Sequence, residues 1–225
     1  MSDAFQLFGT SHLLILAAIP LVAGFLAWWT RHHPKHSRFM RYGLGVIILI
    51  NEVVWYGYNI HNGWFRFPEV LPLHLCDLTL WLTIIGAFTL NSRCFELAYY
   101  FGLAGTSMAI LTPDVWAPFP SYPTIQFFLA HGLIVITLLF LTWGKMCRPQ
   151  PGGVVRAFIF LNLYTIFIAL FNVVFHTNYM YLCQKPLGFS ILNYLGPWPL
   201  YIIASELVAL TLFAMLWLPH RKAAA

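Results

Sequence analysis

The chain has 225 residues, of which 60% are hydrophobic, 18% aromatic and only 8% charged, where a soluble domain carries about 25% charged residues. Such a balance, with a mean hydropathy of +0.74, excludes a soluble globular fold. The net charge of +5 does not indicate a nucleic-acid partner, because the basic residues lie in connections between apolar runs rather than on one face of a domain. The runs are about twenty residues long, enough for a helix to cross a hydrocarbon core of ~30 Å and too long and unalternating for barrel strands. The expected fold class is therefore all-α, a bundle of seven transmembrane helices forming one membrane domain over residues 1–225.

Met1-Ser2-Asp3-Ala4-Phe5 has no basic residue ahead of the first apolar run, unlike the start of a secretory signal. That run is expected to remain as a span. The spans fall near 11–29, 42–60, 72–90, 97–112, 124–143, 157–175 and 197–218. An odd number puts the termini on opposite sides. Arg31, Lys35, Arg38, Arg41, Arg93, Lys145, Arg148, Arg156, Arg221 and Lys222 all fall on one face, and only Arg66 and Lys185 on the other. Basic residues are retained on the cytosolic side, so the N-terminus is expected outside and the C-terminus in the cytosol. Interfacial tryptophans agree, with Trp28, Trp29, Trp143 and Trp217 at the inner ends and Trp64, Trp116 and Trp198 at the outer ends. In the fourth span Ala98, Gly102 and Thr106 recur at helical spacing, which lets a neighbouring backbone approach closely and predicts a central, packed helix. The outer connections, above all residues 113–123 with four prolines, are stiff and aromatic; each reads first as an ordinary interfacial belt with proline-terminated helices, and otherwise as a lid over a site.

The chemistry concentrates in Leu71-Pro72-Leu73-His74-Leu75-Cys76-Asp77-Leu78. Ionisable groups inside a span cost a few kcal/mol unless they meet partners or water, which makes them functional candidates. Pro72 suits the first turn of the third span, which puts Cys76 and Asp77 a little over a turn inside the outer surface. His131 lies about two turns into the fifth span from the same side, and His176 closes the sixth. Asn162, Thr165, Asn172 and His176 fall near one stripe of the sixth helix and read mainly as an orienting shell. The second helix adds Asn51, Glu52, Tyr56 and Asn59, and Glu206 sits near the middle of the seventh. His12, His32, His33, His36, His61 and His220 lie in or near connections, where solvated histidines are expected.

Cys94 and Cys147 fall on the reducing face and are expected to be free, whereas Cys183 lies outside and is a possible bridge partner for Cys76. A thiol attacks at neutral pH only with a neighbouring base or a lowered pKa. On a helix His74 points nearly opposite to Cys76, so the base is expected from another helix, with His131 the best placed.

Leu71-Pro72-Leu73-His74-Leu75-Cys76, Ala130-His131-Gly132 and Asn178-Tyr179-Met180-Tyr181-Leu182, followed by Lys185-Pro186, resemble the YwaF-like family of bacterial integral membrane proteins over nearly the whole chain. Eukaryotic relatives of that family are proposed to be cysteine-dependent acyltransferases acting on ether phospholipids. The resemblance implies that Cys76 and His131 are the functional pair and that membrane lipids are the substrates, though which lipid is not carried over; no cofactor is expected in this reading. Asn178 and Tyr179 join His74, Asp77, Glu52, Asn51, Asn172 and His176 as supporting or pocket residues. Two other classes fit the same residues. One is a metal-dependent lipid hydrolase with His74, Asp77, His131 and His176 around zinc, ligand types that suit the ion without a tight spacing motif. The other is a small-molecule or proton-coupled transporter using Glu52, Glu206 and the sixth-helix stripe.

Overall fold

The computed structural model describes residues 5–115, 117–186, 188 and 190–223, the last two of these by backbone alone. The expectations placed on residues 1–4, on Trp116 and on the Lys222 side chain lie outside the described residues. Among these there is no strand. The helices run in the order α1 (Thr10–His32), α2 (Ser37–His61), α3 (Leu75–Thr89), α4 (Ser92–Tyr100), α5 (Ser107–Leu111), α6 (Tyr122–Trp143), α7 (Gly153–Phe175) and α8 (Leu200–Trp217). A π-helical turn, Phe101–Thr106, joins α4 to α5 in one rod. Six units, namely α1, α2, the α4–α5 rod, α6, α7 and α8, are long and apolar enough to cross a membrane, and α3 is apolar but shorter. The chain is an all-helical, multi-pass integral membrane protein.

The α4–α5 rod and α6 form the centre. Phe95, Tyr100 and Phe101 of the rod pack with Ile134, Leu138, Phe140 and Leu141 of α6 in one buried cluster. Ala98, Gly102 and Thr106 are all buried, as their spacing predicts. At Gly102 a Cβ would stand 2.3 Å from Leu138 Cδ1, so the close approach of the two rods depends on that glycine. Around this centre α7 and α8 present Leu163, Leu170, Val173, Ile203 and Leu207 outward, the surface that hydrocarbon accepts because each helix satisfies its own backbone.

Helix ends explain the placement of α3. Asn91 Oδ1 accepts from the backbone N–H groups of Arg93 and Cys94, both at 3.0 Å, which starts α4. Leu90 turns left-handed at φ 55 and closes α3. The Arg41 guanidinium donates to the Ala87 and Phe88 carbonyls at 2.6 and 2.9 Å, satisfying acceptors that a helix terminus leaves open. Arg41 is therefore a buried cap on α2 rather than a residue of a solvated connection. With 15 residues, α3 is only about 22 Å long, against a hydrocarbon core of ~30 Å.

Two expectations are corrected. The third helix begins at Leu75, so Pro72 lies in the preceding connection and not in its first turn. His12 is fully buried rather than solvated. Its Nδ1 accepts from the Phe8 N–H at 3.0 Å and its Nε2 donates to the Ile110 carbonyl at 2.9 Å, so the ring ties α1 to α5 as a neutral tautomer.

Candidate functional site

The short α3 begins at Leu75, after the irregular connection of residues 62–74. Irregular backbone inside a helical bundle requires protein partners, and tyrosines supply them. Tyr164 Oη donates to the Leu73 carbonyl at 3.0 Å and Tyr179 Oη to that of Pro68 at 2.7 Å. His74 is the N-cap, extended at φ −69 and ψ 154. Asp77 Oδ2 accepts from the His74 N–H at 2.9 Å, and the Cys76 thiol donates to Asp77 Oδ1 at 3.8 Å. Because His74 precedes the helix, a helical-wheel separation from Cys76 does not apply; both belong to one cap. Cys76 occupies the second helical position, where the first backbone N–H groups lack intrahelical partners; the N–H groups of Cys76 and Asp77 stand near the sulfur, that of Asp77 also donating to the His74 carbonyl at 3.1 Å.

A second layer closes over the cap. Asn172 is buried, with its Nδ2 donating to the Tyr179 carbonyl and its Oδ1 accepting from the Tyr179 N–H, both at 2.9 Å, and from Thr177 Oγ1 at 2.7 Å. The loop so held returns to the cap, where the Met180 N–H donates to His74 Nδ1 at 3.3 Å. Neutral His74 therefore carries its proton on Nε2. The rings of Tyr179 and Tyr181 stand 5.0 and 5.9 Å from that imidazole. Asn178 Oδ1 accepts from the N–H groups of Cys183 and Gln184 at 3.0 and 3.1 Å. His176, Met180 and Tyr181 all hold left-handed backbone, at φ 55, 57 and 55, each costing about 1–3 kcal/mol unless the surroundings impose it. Burial pushes the Tyr179 phenol up to about 12, and burial together with Asp114 raises that of Tyr181. Both stay hydrogen-bond donors at neutral pH. In front of this layer lies a cavity of about 790 Å³ lined by Glu69, His74, Asn172, His176, Tyr179 and Tyr181 among others.

The remaining predicted residues approach from α2 and α6. His131 Nδ1 donates to the Phe127 carbonyl at 2.8 Å, and its ring stacks on Phe127 at 4.1 Å. With the proton fixed on Nδ1, Nε2 presents a lone pair, and it has no protein partner among the described residues. His131 lies within Coulombic reach of His74, and α6 packs against α3, but the Cys76 thiol is bonded to Asp77 and not to His131. Glu52 is buried on α2, within Coulombic reach of Asp77 and Tyr56. Asn51 is buried beside it, with Nδ2 unpartnered among the described residues.

His176 is exposed at the end of α7 and lines the cavity rim. No three His, Cys, Asp or Glu side chains among the described residues come together as a metal site, so His74, Asp77, His131 and His176 do not assemble around one ion. All four cysteines are free, including Cys76 and Cys183. The sixth-helix stripe divides rather than facing one way. Asn162 Nδ2 donates to Glu206 Oε2 at 3.0 Å, while Asn172 serves the loop. Tyr164 and Glu69 belong to the site without having been singled out; Tyr164 lies two i, i+4 steps before Asn172 through buried Ile168, a spacing that marks it.

A helical membrane bundle in which a thiol, a carboxylate and an imidazole share one helix cap under the Tyr179 and Tyr181 rings, with a second imidazole on a neighbouring helix, defines the class of protein. The model of the TMEM164 family, a membrane protein family, matches residues 7–217. The chain belongs to the TMEM164 family. No curated protein and no solved structure matches it.

Proposed function

We propose that the chain is a membrane acyltransferase that moves a fatty acyl group between lipids through a thioester on Cys76. The observation that carries this reading is the position of Cys76 in the first turn of α3, where backbone N–H groups flank the sulfur and a neighbouring helix offers His131 with its Nδ1 proton committed to Phe127. The Cys76 proton passes to His131 Nε2, and the thiolate attacks the carbonyl carbon of a lipid ester. The oxyanion so formed meets the Cys76 backbone N–H in the first turn of α3, a donor fixed before the reaction. Collapse of the tetrahedral intermediate expels the lysolipid alkoxide, which takes the proton from His131. An acceptor lipid hydroxyl then gives its proton to His131, attacks the thioester and releases the Cys76 thiol.

Asp77 orients the thiol at rest, and His74 locks the cap to the lid. The related membrane acyltransferases suggested by the YwaF-like resemblance fit this chemistry, with lipids as both partners. In this reading α3 is a seventh span, the N-terminus is outside and the C-terminus is cytosolic, so the site faces the outer leaflet; in a bacterium that membrane is the inner one. Purified protein incubated with phospholipid carrying a labelled acyl chain tests the reading. Cys76→Ser and His131→Ala are expected to lower transfer at least 100-fold with unchanged unfolding temperatures, because general base catalysis contributes about 10²–10⁴. Full activity in either variant would remove that residue from the mechanism.

A further inference from the structure

A second cavity, of about 620 Å³, lies at the opposite end of α3 from Cys76, within the range of about 300–1,000 Å³ that suits a small ligand. Its lining includes Ser92, Lys145, Cys147, Arg148, Gln150 and His220, and no acidic side chain among the described residues lines it. The adjacent acid, Glu96, is already committed. Its two oxygens accept from Arg156 Nε and Nη2, both at 2.8 Å, and Oε2 also accepts from the Gln150 N–H at 2.9 Å.

Lys145 and Arg148 are the charged side chains of the lining among the described residues. Arg148 lies within Coulombic reach of His220, and Arg41 within reach of Cys147. Tyr99 Oη donates to the Leu216 carbonyl at 3.0 Å, so the contact of 3.1 Å between Tyr99 and His220 uses an Nε2 proton of the histidine. Lys145 stands in left-handed backbone at φ 60, where glycine would be cheaper. The Met146 and Cys147 N–H groups both return to the Leu141 carbonyl, at 2.9 and 3.1 Å, which fixes the turn that carries the lysine. Ser92, the first residue of α4, also lines the cavity and adds a hydroxyl donor.

We propose that this cavity binds a phosphate-bearing anion, supplied either as the headgroup of an anionic phospholipid or as a soluble phosphate. Basic pockets between membrane helices take such groups. The proposal does not depend on the chemistry assigned to Cys76, and its test does not read acyl transfer.

Thermal unfolding of the purified full chain in neutral detergent is measured with phosphatidylglycerol, phosphatidylcholine or inorganic phosphate added. Phosphatidylglycerol near saturation is expected to raise Tm by on the order of 5 °C, and phosphatidylcholine is not. The Lys145→Asn/Arg148→Gln double variant is expected to lose the shift, while Lys185→Gln, outside the cavity, keeps it. Asparagine is chosen because it tolerates left-handed backbone. Should the double variant unfold early, native mass spectrometry of phosphatidylglycerol bound to Lys145→Asn alone decides, with binding expected to weaken several-fold. A shift with inorganic phosphate but not with phosphatidylglycerol supports the site and assigns it to a soluble ligand. Equal shifts with phosphatidylglycerol and phosphatidylcholine, no shift with either anion, or an undiminished response in the variants would overturn it.

Discussion

Single side chains do unequal work around the cap. Asn172 makes three hydrogen bonds from a fully buried position. Asn172→Ala strands the Tyr179 backbone and is expected to cost about 2–3 kcal/mol, read as a lower unfolding temperature in detergent, together with faster proteolysis of the loop of residues 177–184. Cysteines separate by environment in the same way. Cys183 is exposed, whereas burial pushes the Cys147 thiol up to about 11, with Arg41 opposing. A raised pKa means little thiolate at neutral pH. Maleimide at pH 7 is therefore expected to modify Cys183 quickly and Cys147 slowly, with the Cys147 rate climbing as pH rises towards 9; equal rates at pH 7 on mass spectrometry would contradict this. The concentration of His74, Cys76 and Asp77 was legible from sequence because polar groups in an apolar run demand partners. The direct bond from Cys76 to Asp77 was not, because it depends on where the helix begins.

At the scale of the element, that boundary is the main lesson. A proline at the first turn is a common helix start, which favoured Pro72, but the tyrosine bonds from Tyr164 and Tyr179 hold the connection in irregular turns up to His74. Those partners are about a hundred residues away along the chain and leave no local trace. The α4–α5 rod shows the opposite case, since small residues at helical spacing announced close packing and the buried Gly102 bears it out. Gly102→Val is expected to destabilise the bundle by about 1–3 kcal/mol, because its side chain must displace Leu138, Ile134 or Thr79. A size-exclusion profile and unfolding temperature equal to those of the wild type would mean that the rods separate more easily than their packing implies. The π-helical turn at Phe101–Thr106 had no sequence signature beyond its two glycines.

At the scale of the whole molecule, composition alone fixed the class, because no arrangement of so few charges covers a soluble surface. Six helices long and apolar enough to cross a membrane fall on six of the seven expected runs, legible because apolar length is a direct physical requirement of the bilayer; how their polar faces meet was not. The basic asymmetry, ten residues against two, makes the orientation a prediction. Reporter fusions are expected to place the C-terminus in the cytosol and the loop of residues 113–123 outside; an external C-terminus would invert the leaflet assigned to the site. The central claim is that Cys76 carries the acyl group. Quenching purified protein during turnover of acyl-labelled phospholipid and mapping its peptides by mass spectrometry tests that claim most directly. The account predicts an acyl adduct on the Cys76 peptide that neutral hydroxylamine removes and that Cys76→Ser lacks; acyl transfer that proceeds with no such adduct, or with the label on another residue, would contradict it.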